Sequence, residues 1–445
     1  MLYFYIILEI CRDSKYEYLS ERRCFTMLQQ ISAVLLTVIQ LLLALLGFPV
    51  KDTPQPKTDY PCVFVHGLGG WGAYDTVNDV APYWGMTTGS VLEYLESEGY
   101  DCYAASVGPI SSAWDRACEL YAQLTGTTVD YGEVHSAAHN HDRYGKAYEK
   151  PLFAGWGPDK KIHLFGHSFG GATIRLFTQI ACEGAQEEID ASPSDVSPFF
   201  RGGMRDWIYS VTTLAAPHNG TTMDGTMKEN DKTGLKYMPL TILAGAIGNL
   251  PVINGIYDFQ LSQFGLTTLP GSYQFNVARL SEMLNFTSSR DHAAYDLSLR
   301  GAYELNCRIK TQPGIYYFSY AACATEEDGN GNWVPIDSME TMFKAPSFLI
   351  GRKCKPYTTS FGLEINAEWQ RNDGLVNTIS ALRPLTEEGV DFDSSSNIQP
   401  GIWNVMPVVE GRDHMAFMGG LLSGDGEWLH SFYLSHMKML DSIAA

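Results

Sequence analysis

Residues 161–177 read Lys161-Ile-His-Leu-Phe-Gly166-His-Ser168-Phe-Gly170-Gly-Ala-Thr-Ile-Arg-Leu-Phe177. The apolar start of this stretch predicts a strand and its end predicts a helix. Between them lies G-x-S-x-G, whose glycines let strand and helix approach without a clashing Cβ. This order is that of a nucleophile elbow, which makes Ser168 a candidate nucleophile. A glycine-rich turn with a solvated serine is the structural alternative.

Apolar and β-branched runs alternate with helical patterns along the rest of the chain. Such runs lie at 62–65, 102–107, 209–214, 315–320 and 405–409. This alternation predicts the α/β class, with a mainly parallel central sheet flanked by helices. No clear linker interrupts residues 60–445, so we expect one large domain that carries insertions.

The composition is that of an acidic globular protein. Of the 445 residues, 45% are hydrophobic and 18% are charged, which excludes disordered, collagen-like and coiled-coil chains. The 31 Lys and Arg against 50 Asp and Glu leave a net charge of −19. An acidic surface repels phosphate backbones, so nucleic acid is not an expected partner. The nine cysteines are irregularly spaced and predict neither a disulfide framework nor a thiolate zinc site.

The first 50 residues predict export or membrane attachment. Residues 27–50 carry no charge, residues 31–48 are almost wholly apolar, and Arg22 and Arg23 precede them. An apolar run of about 18 residues lies between a signal-peptide core and a membrane-spanning helix. We expect a secreted protein, with anchoring in the cytoplasmic membrane by 31–48 as the alternative. A polar linker at 51–59 leads into the folded part.

A serine hydroxyl becomes a good nucleophile only when a histidine held by a carboxylate takes its proton. In this fold the acid and then the histidine follow the serine along the chain. Five histidines lie after Ser168, and His414 follows the apolar run at 405–409 across a short polar loop. We predict His414 as the base, with His218 as its main rival. Asp373 lies in a turn-like loop before His414 and is the candidate acid, although an Asx turn also explains it.

An acyl-transfer site also needs backbone N–H groups that stabilise an oxyanion. The stretch His66-Gly67-Leu68-Gly69-Gly70 follows the first predicted strand. We therefore expect the donors to be the backbone N–H groups of Leu68 and of Phe169, the residue after the serine. Simple turn formation is the alternative explanation of the glycines.

Several motifs occur together in one order along the chain. They are VHGLGGWG at 65–72, VGPISSAWDRACE at 107–119, GHSFGG at 166–171, SVTTLAAPHNGTT at 210–222, IYDF at 256–259 and NDGLVNT at 372–378. Together they resemble bacterial lipase family I.5, the thermophilic and staphylococcal lipases. The resemblance implies an α/β-hydrolase fold with a helical lid, and carboxylester hydrolysis. It also implies nucleophile, acid and base positions at Ser168, Asp373 and His414.

The resemblance further implies a structural zinc ion that ties an insertion at about 110–145 to residues 285–300. The matching ligand positions are Asp115, His135, His141 and Asp291. Two neutral imidazoles and two carboxylates suit a closed tetrahedral zinc site. A polar loop with solvated histidines is the alternative explanation of these residues.

The calcium site of the same family is not predicted. Its acidic ligand positions correspond to Ala416 and Leu421, whose side chains cannot bind a cation. Asp425 and Glu427 nearby offer the residue types for a different calcium site.

Residues 224–251 predict a helical lid. Leu240, Leu243, Ala244 and Ile247 share one helical face, and the opposite face is apolar too. Such a helix needs cover on both sides or lipid on one side, and its glycines lower helix stability. A lid that opens at an oil–water interface fits this pattern, with a buried core helix as the alternative.

These observations predict a secreted lipase or esterase that works through a Ser-His-Asp triad and an acyl-enzyme. Its substrate is expected to be an ester with an apolar acyl chain at a lipid–water interface or polymer surface. A hydrolase of polyesters with the same triad is the first alternative. A non-catalytic binding module on a hydrolase scaffold is the second.

Overall fold

The computed structural model describes residues 60–79, 81–223, 260–265, 286, 289–421 and 424–443. The predicted apolar segment at 31–48, the linker and the lid lie outside these residues, as does the motif at 256–259. In the described part of the chain, no helix combines the length and the apolar character that crossing a membrane requires.

The described strands are numbered in chain order. They are β1 Cys62–Val65, β2 Cys102–Ala105, β3 Thr128–Asp130, β4 Tyr144–Ala147, β5 Ile162–His167, β6 Ile208–Leu214, β7 Tyr316–Tyr320, β8 Ala322–Cys323, β9 Thr325–Glu327, β10 Trp333–Pro335, β11 Tyr357–Thr358, β12 Glu364–Ile365, β13 Gly389–Asp391, β14 Trp403–Val405 and β15 Val409–Glu410.

The described α-helices are α1 Val91–Ser97, α2 Ala113–Thr125, α3 Glu133–His139, α4 Phe169–Glu183, α5 Gln186–Ala191, α6 Pro198–Arg201, α7 Ala293–Asp296, α8 Leu299–Arg308, α9 Thr341–Gly351, α10 Thr378–Leu382 and α11 Gly426–Ile443. Short 3₁₀ helices lie at Thr76–Asp79, Arg205–Trp207, Ser262–Phe264, Ala367–Trp369, Ser395–Asn397 and Ala416–Met418.

Within the described residues, seven strands form a central sheet in the order β13-β14-β7-β6-β5-β1-β2. All neighbouring strands in this sheet are parallel. The α/β class with a mainly parallel sheet and flanking helices is therefore confirmed. Small two-stranded pairs, β3 with β4, β8 with β15, β9 with β10 and β11 with β12, lie outside the central sheet.

Apolar side chains cover both faces of the central sheet. In β1, Val63 and Val65 belong to one core cluster, which also contains the buried faces of α2 and α4. Cys62 and Phe64 point the other way, into a second cluster that includes residues of α1 and α11. A strand buried on both faces needs apolar residues at every position, because successive side chains alternate between faces. This is why β1 is a continuous apolar run.

The predicted strand at 405–409 is wrong as one continuous strand. Val405 ends β14, which pairs with β7, whereas Val409 begins β15, which pairs with β8. Pro407 lies between the two, and proline cannot donate a ladder hydrogen bond. The break carries the backbone from one strand pairing to the next and leads it into the loop that contains His414.

Candidate active site

Ser168 lies between the last residue of β5 and the first residue of α4, in a strained conformation. Its φ of 54° and ψ of −124° lie outside the regions that L-residues favour. A Cβ on Gly170 would lie 2.1 Å from the Val65 carbonyl oxygen, so this glycine is needed for strand and helix to meet. Ser168 is only 8% exposed, which does not fit a glycine-rich turn with a solvated serine.

His414 and Asp373 form a buried hydrogen-bonded pair. His414 Nδ1 lies 2.8 Å from Asp373 Oδ2, and the residues are 3% and 1% exposed. The other carboxylate oxygen, Oδ1, accepts from the backbone N–H groups of Leu375 and Val376 at 3.0 and 2.8 Å. The Asx turn proposed as an alternative is therefore present, and it orients the carboxylate towards the ring. A proton on Nδ1 leaves the Nε2 lone pair of His414 free to act as a base.

His167, the residue before Ser168, connects the elbow to His414. Its Nε2 donates to the His414 carbonyl oxygen at 2.9 Å, and the two rings lie 4.9 Å apart. Among the described residues, no hydrogen bond joins the Ser168 hydroxyl to the His414 ring. Hydrogen bonds between a nucleophile and its base are often long without substrate and shorten in the complex.

The other histidines after Ser168 have different partners. His218 Nε2 lies 3.0 Å from the Thr213 hydroxyl, and burial together with the Arg175 charge lowers the pKa of His218 well below its usual value. His436 bonds to the hydroxyls of Thr212 and Tyr320, His430 stacks on Tyr94, and His292 caps α7. Of these histidines, His414 is the one whose ring is hydrogen-bonded to Asp373.

The loop after β1 lies against the nucleophile. A Cβ on Gly67 would lie 2.9 Å from the Ser168 Cβ. Within the described residues, the Leu68 backbone N–H makes no hydrogen bond. The Phe169 N–H is the first of α4 and belongs to the N–H groups that have no intrahelical partner. Of the two predicted oxyanion donors, Phe169 follows Ser168 in the chain. Leu68 follows Gly67, which lies against Ser168 in space.

Arg116 connects the two loops that carry these donors. It is fully buried in α2, and one of its guanidinium nitrogens donates to the His66 carbonyl oxygen. The guanidinium also lies over the Phe169 ring, 4.7 Å from its centroid. Burial, followed by the Arg116 charge, lowers the pKa of His66 to about 3. His66 is therefore neutral, and its Nδ1 donates to the Gly67 carbonyl oxygen at 2.9 Å.

Several buried polar residues around the site were not predicted from the sequence, among them Tyr83, Arg116 and His167. Arg116 and His167 lie inside motifs that were singled out, directly beside Asp115 and Ser168. That adjacency was the available signal. Tyr83 lies outside every motif, and its role is visible only in the folded chain.

The four predicted zinc ligands lie together. The candidate ligand atoms of Asp115, His135, His141 and Asp291 are all within 4.8 Å of one another. His135 Nε2 lies 3.2 Å from Asp115 Oδ1 and 3.2 Å from the Asp291 carboxylate. His141 Nε2 lies 3.2 Å from Asp291 Oδ2. A polar loop with solvated histidines does not explain this cluster, because the side chains of both aspartates and of His141 are buried.

The donor set fits a metal ion. His141 Nδ1 donates to the Asp142 carbonyl oxygen at 2.8 Å, so its Nε2 carries a lone pair. That Nε2 is buried and faces the Asp291 carboxylate, so a lone pair and a carboxylate oxygen point at each other, as expected where a cation lies between them. Burial alone would lower the pKa of His135, but the Asp291 and Asp115 carboxylates outweigh it and raise that pKa to about 10. The cluster therefore attracts positive charge.

Three separate segments supply this cluster. Asp115 lies in the first turn of α2, where the Ser112 side chain caps the helix. His135 lies on α3 with its ring stacked on Trp114, and Asp291 is 156 residues further along the chain. Gln263 donates to the second oxygen of Asp115 at 2.9 Å and orients that carboxylate. A cation here would connect distant parts of the fold.

The two positions of the absent calcium ligands have other contacts. Ala416 begins a short 3₁₀ helix, and Leu421 packs on the small apolar cluster that contains Met339 and Phe343. The Leu421 N–H donates to the Glu340 carboxylate, and the Glu340 N–H donates to Asp413 Oδ2 at 2.9 Å. Hydrogen bonds and apolar packing connect these loops. The expectation that calcium is not bound here stays a prediction.

A model of the family "Lipase-like, C-terminal domain" matches residues 58–437 of this chain. The chain belongs to this family. The match covers the described sheet, the Ser168 elbow and the His414 loop of the lipase-like domain.

Relatives and solved structures agree with this membership. The chain is 36% identical over 385 residues to Lipase 2 of Staphylococcus aureus. This alignment covers 83% of this chain and 52% of that protein. The chain thus spans about half the length of the curated relatives it matches.

Two solved structures have closely similar folds. The crystal structure of Staphylococcus hyicus lipase matches with a TM-score of 0.75 at 31% identity, over 89% of this chain and 99% of that one. EstA from Clostridium botulinum matches with a TM-score of 0.74 at 36% identity, over 88% and 89% of the two chains. The α/β-hydrolase fold of the lipases is therefore the fold of this lipase-like domain.

Proposed function

We propose that this chain is a serine carboxylester hydrolase, a lipase or esterase that works through an acyl-enzyme. The observation that carries the proposal is the buried His414–Asp373 pair at 2.8 Å, attached through His167 to the strained elbow of Ser168. The similarity to proteins named lipases supports it. An imidazole oriented by a carboxylate next to a serine on such an elbow is the arrangement that activates a hydroxyl.

In the proposed reaction, His414 Nε2 takes the proton of Ser168 as Oγ attacks the ester carbonyl carbon. The carbonyl oxygen becomes an oxyanion and accepts hydrogen bonds from the Leu68 and Phe169 N–H groups. Asp373 stabilises the imidazolium, which then protonates the leaving alcohol. A water molecule, deprotonated by His414, attacks the acyl-enzyme and releases the acid, which restores Ser168.

The proposed substrate is an ester with an apolar acyl chain. The net charge of −19 makes an anionic polymer an unfavourable substrate, and the relatives are named lipases. Triglycerides and polyesters are the two candidate substrate classes. Secretion remains the proposal from the apolar segment at 31–48.

We also propose that the cluster of Asp115, His135, His141 and Asp291 binds a structural zinc ion. The buried lone pair of His141 and the two carboxylates that flank His135 support this assignment. When bound, zinc would supply a fixed crosslink between segments rather than a reactive centre. The four side chains would hold the ion, and Gln263 and the Asp142 carbonyl orient two of them.

The decisive experiment is covalent labelling with an organophosphonate ester. We expect one label per chain, together with turnover of p-nitrophenyl esters, and loss of both in Ser168→Ala. Ser210→Ala is the matched control, because Ser210 is also buried and bonded to a histidine, His163, at 2.8 Å. Absence of labelling in the wild type would favour a non-catalytic binding module. Comparing fatty-acid release from a triglyceride emulsion with product release from a polyester film separates the two substrate classes.

A further inference from the structure

One continuous chain of hydrogen bonds joins the loop after β1, the elbow and the His414 loop. The Gly67 N–H bonds to the Tyr83 hydroxyl at 2.8 Å. The Tyr83 hydroxyl bonds to His167 Nδ1 at 2.8 Å, and His167 Nε2 bonds to the His414 carbonyl oxygen at 2.9 Å. Tyr83 and His167 are 4% and 1% exposed, so water does not compete for these bonds.

The chemistry of the end groups fixes the direction of every bond. The His414 carbonyl oxygen can only accept, so the proton of His167 is on Nε2. In a neutral ring Nδ1 is then an acceptor, and the Tyr83 hydroxyl must donate to it. The Gly67 N–H can only donate, and it donates to a lone pair of the same hydroxyl. All three bonds therefore run from Gly67 towards His414.

Neutral His167 is required for this direction. Burial, followed by the nearby charge of His414 when that ring is protonated, lowers the pKa of His167 well below its usual value. Burial also raises the pKa of the Tyr83 hydroxyl above its usual value. Neither group changes its protonation state in the neutral pH range. His167 consequently keeps one tautomer. The aligned hydrogen bonds of this buried network reinforce one another.

This chain of hydrogen bonds connects the three backbone segments that the proposed reaction requires. Gly67 precedes the proposed oxyanion donor Leu68, and His167 precedes the proposed nucleophile Ser168. His414, the proposed base, is held at its carbonyl oxygen. Its backbone N–H donates to the Asp373 carbonyl oxygen at 2.9 Å, so this residue is fixed on both sides of its Cα.

We propose that Tyr83 and His167 are positioning residues that set the oxyanion loop and the base relative to Ser168. The proposal rests on the ester hydrolysis proposed above. Neither side chain contacts the reacting atoms in this mechanism. Each acts through the backbone of a residue that does, and misplacement of a catalytic group by about 1 Å is sufficient to slow an enzyme on the order of 100-fold.

Tyr83→Phe removes only the hydroxyl and tests the chain directly. We expect kcat on a soluble p-nitrophenyl ester to fall about 10- to 100-fold, with KM changed less than about threefold, because alignment for the chemical step is affected more than binding. Tyr320→Phe is the matched control. Tyr320 is also buried, and its hydroxyl lies 2.9 Å from a ring nitrogen of a buried histidine, His436. We expect its kcat to stay within about twofold of the wild type.

His167→Gln supplies the second arm, since a glutamine amide N–H retains a donor for the His414 carbonyl oxygen while the acceptor for Tyr83 is altered. The Tyr83→Phe/His167→Gln double variant breaks the same link as either single variant. We therefore expect the double variant to be no slower than the slower single variant, instead of showing the product of the two effects. Titration with an organophosphonate corrects each rate for the fraction of folded active sites.

Two results would overturn the proposal. One is a kcat of Tyr83→Phe equal to that of Tyr320→Phe after active-site titration. The other is multiplicative losses in the double variant, which would mean that the two residues act independently. If the wild type neither reacts with the organophosphonate nor hydrolyses esters, the proposed function itself fails, and this outcome is separate from the other two.

Discussion

His414 is bonded twice to Asp373, although 41 residues separate them in the chain. The ring Nδ1 lies 2.8 Å from Asp373 Oδ2, and the His414 backbone N–H donates to the Asp373 carbonyl oxygen at 2.9 Å. Side chain and main chain are thus oriented by the same residue. A ring held in this way has few alternative rotamers, which favours a base that is in place before substrate arrives.

Asp373→Asn should reduce kcat about 10³- to 10⁴-fold with little change in KM, because an amide there favours the wrong tautomer of His414. Asp413→Asn is the control. Asp413 is adjacent to His414 in sequence, but its oxygens accept the backbone N–H groups of Glu340 and Met415. Steady-state kinetics on a soluble ester checks both variants. Equal losses in the two would contradict the assignment of Asp373 as the acid.

Purified protein should contain one zinc per chain by elemental analysis, and His135→Ala should lose it. A site saturated about 1,000-fold above its Kd contributes on the order of 4 kcal/mol to stability. The expected fall in Tm is therefore about 5 to 10 °C. His139→Ala is the matched control, because the His139 ring lies 4.6 Å from that of His135 without being one of the four clustered ligands. Unchanged Tm and metal content in His135→Ala would contradict the zinc assignment.

Millimolar calcium should leave the Tm and the ester turnover unchanged, because a ligand stabilises only a state that binds it. Differential scanning fluorimetry with calcium and with magnesium as the control cation measures this. A rise in Tm specific to calcium would show a site that the side chains of Ala416 and Leu421 do not supply. Repeating the titration with Glu340→Gln would then test the Glu340 carboxylate as a ligand.

Stability should fall as the pH drops below about 6.5, because buried histidines must take up protons when the chain unfolds. Burial lowers the pKa of His66, His163 and His436 to about 3. Their folded pKa values lie below the unfolded value, so the unfolded state binds more protons. The stability they contribute is complete above about pH 6.5 and is lost progressively as the pH falls towards 3, at about 1.4 kcal/mol per pH unit for each histidine.

Urea unfolding of His163→Asn at several pH values between 7 and 5 checks this slope. An asparagine in place of His163 can still bond to Ser210 and does not titrate. We expect the free energy of unfolding to fall less steeply with pH than in the wild type, with a difference in slope that approaches about 1.4 kcal/mol per pH unit near pH 5. A slope equal to that of the wild type would show that His163 does not contribute to the pH dependence.

The fold could be predicted because its strands have unambiguous patterns. β1 is buried on both faces, so it appears in the sequence as an uninterrupted apolar run, and β6 is mostly apolar or β-branched. β13 was missed, since this three-residue edge strand is exposed or half-buried and has no apolar pattern. Ser168 was predictable for a similar reason: strand, glycine motif and helix are contiguous in the chain, and each has a local physical signature.

The contacts of the polar network around the site could not be predicted, although Arg116 and His167 lie within recognised motifs. Because polar residues lie mostly at the surface, the sequence alone predicts exposure for a tyrosine or an arginine. It does not distinguish the few that are buried. Tyr83 and His167 are 84 residues apart in the sequence, and the folded chain brings them within hydrogen-bond distance. Long-range side-chain pairing of this kind is determined by tertiary structure and not by local periodicity.

The hydrogen bond from His167 to His414 spans 247 residues of sequence. During synthesis or refolding, the elbow can form from contiguous residues well before the base docks onto it, because non-local contacts carry the larger loop-closure cost. We therefore expect ester turnover, after dilution from denaturant, to recover no faster than the secondary structure of the sheet.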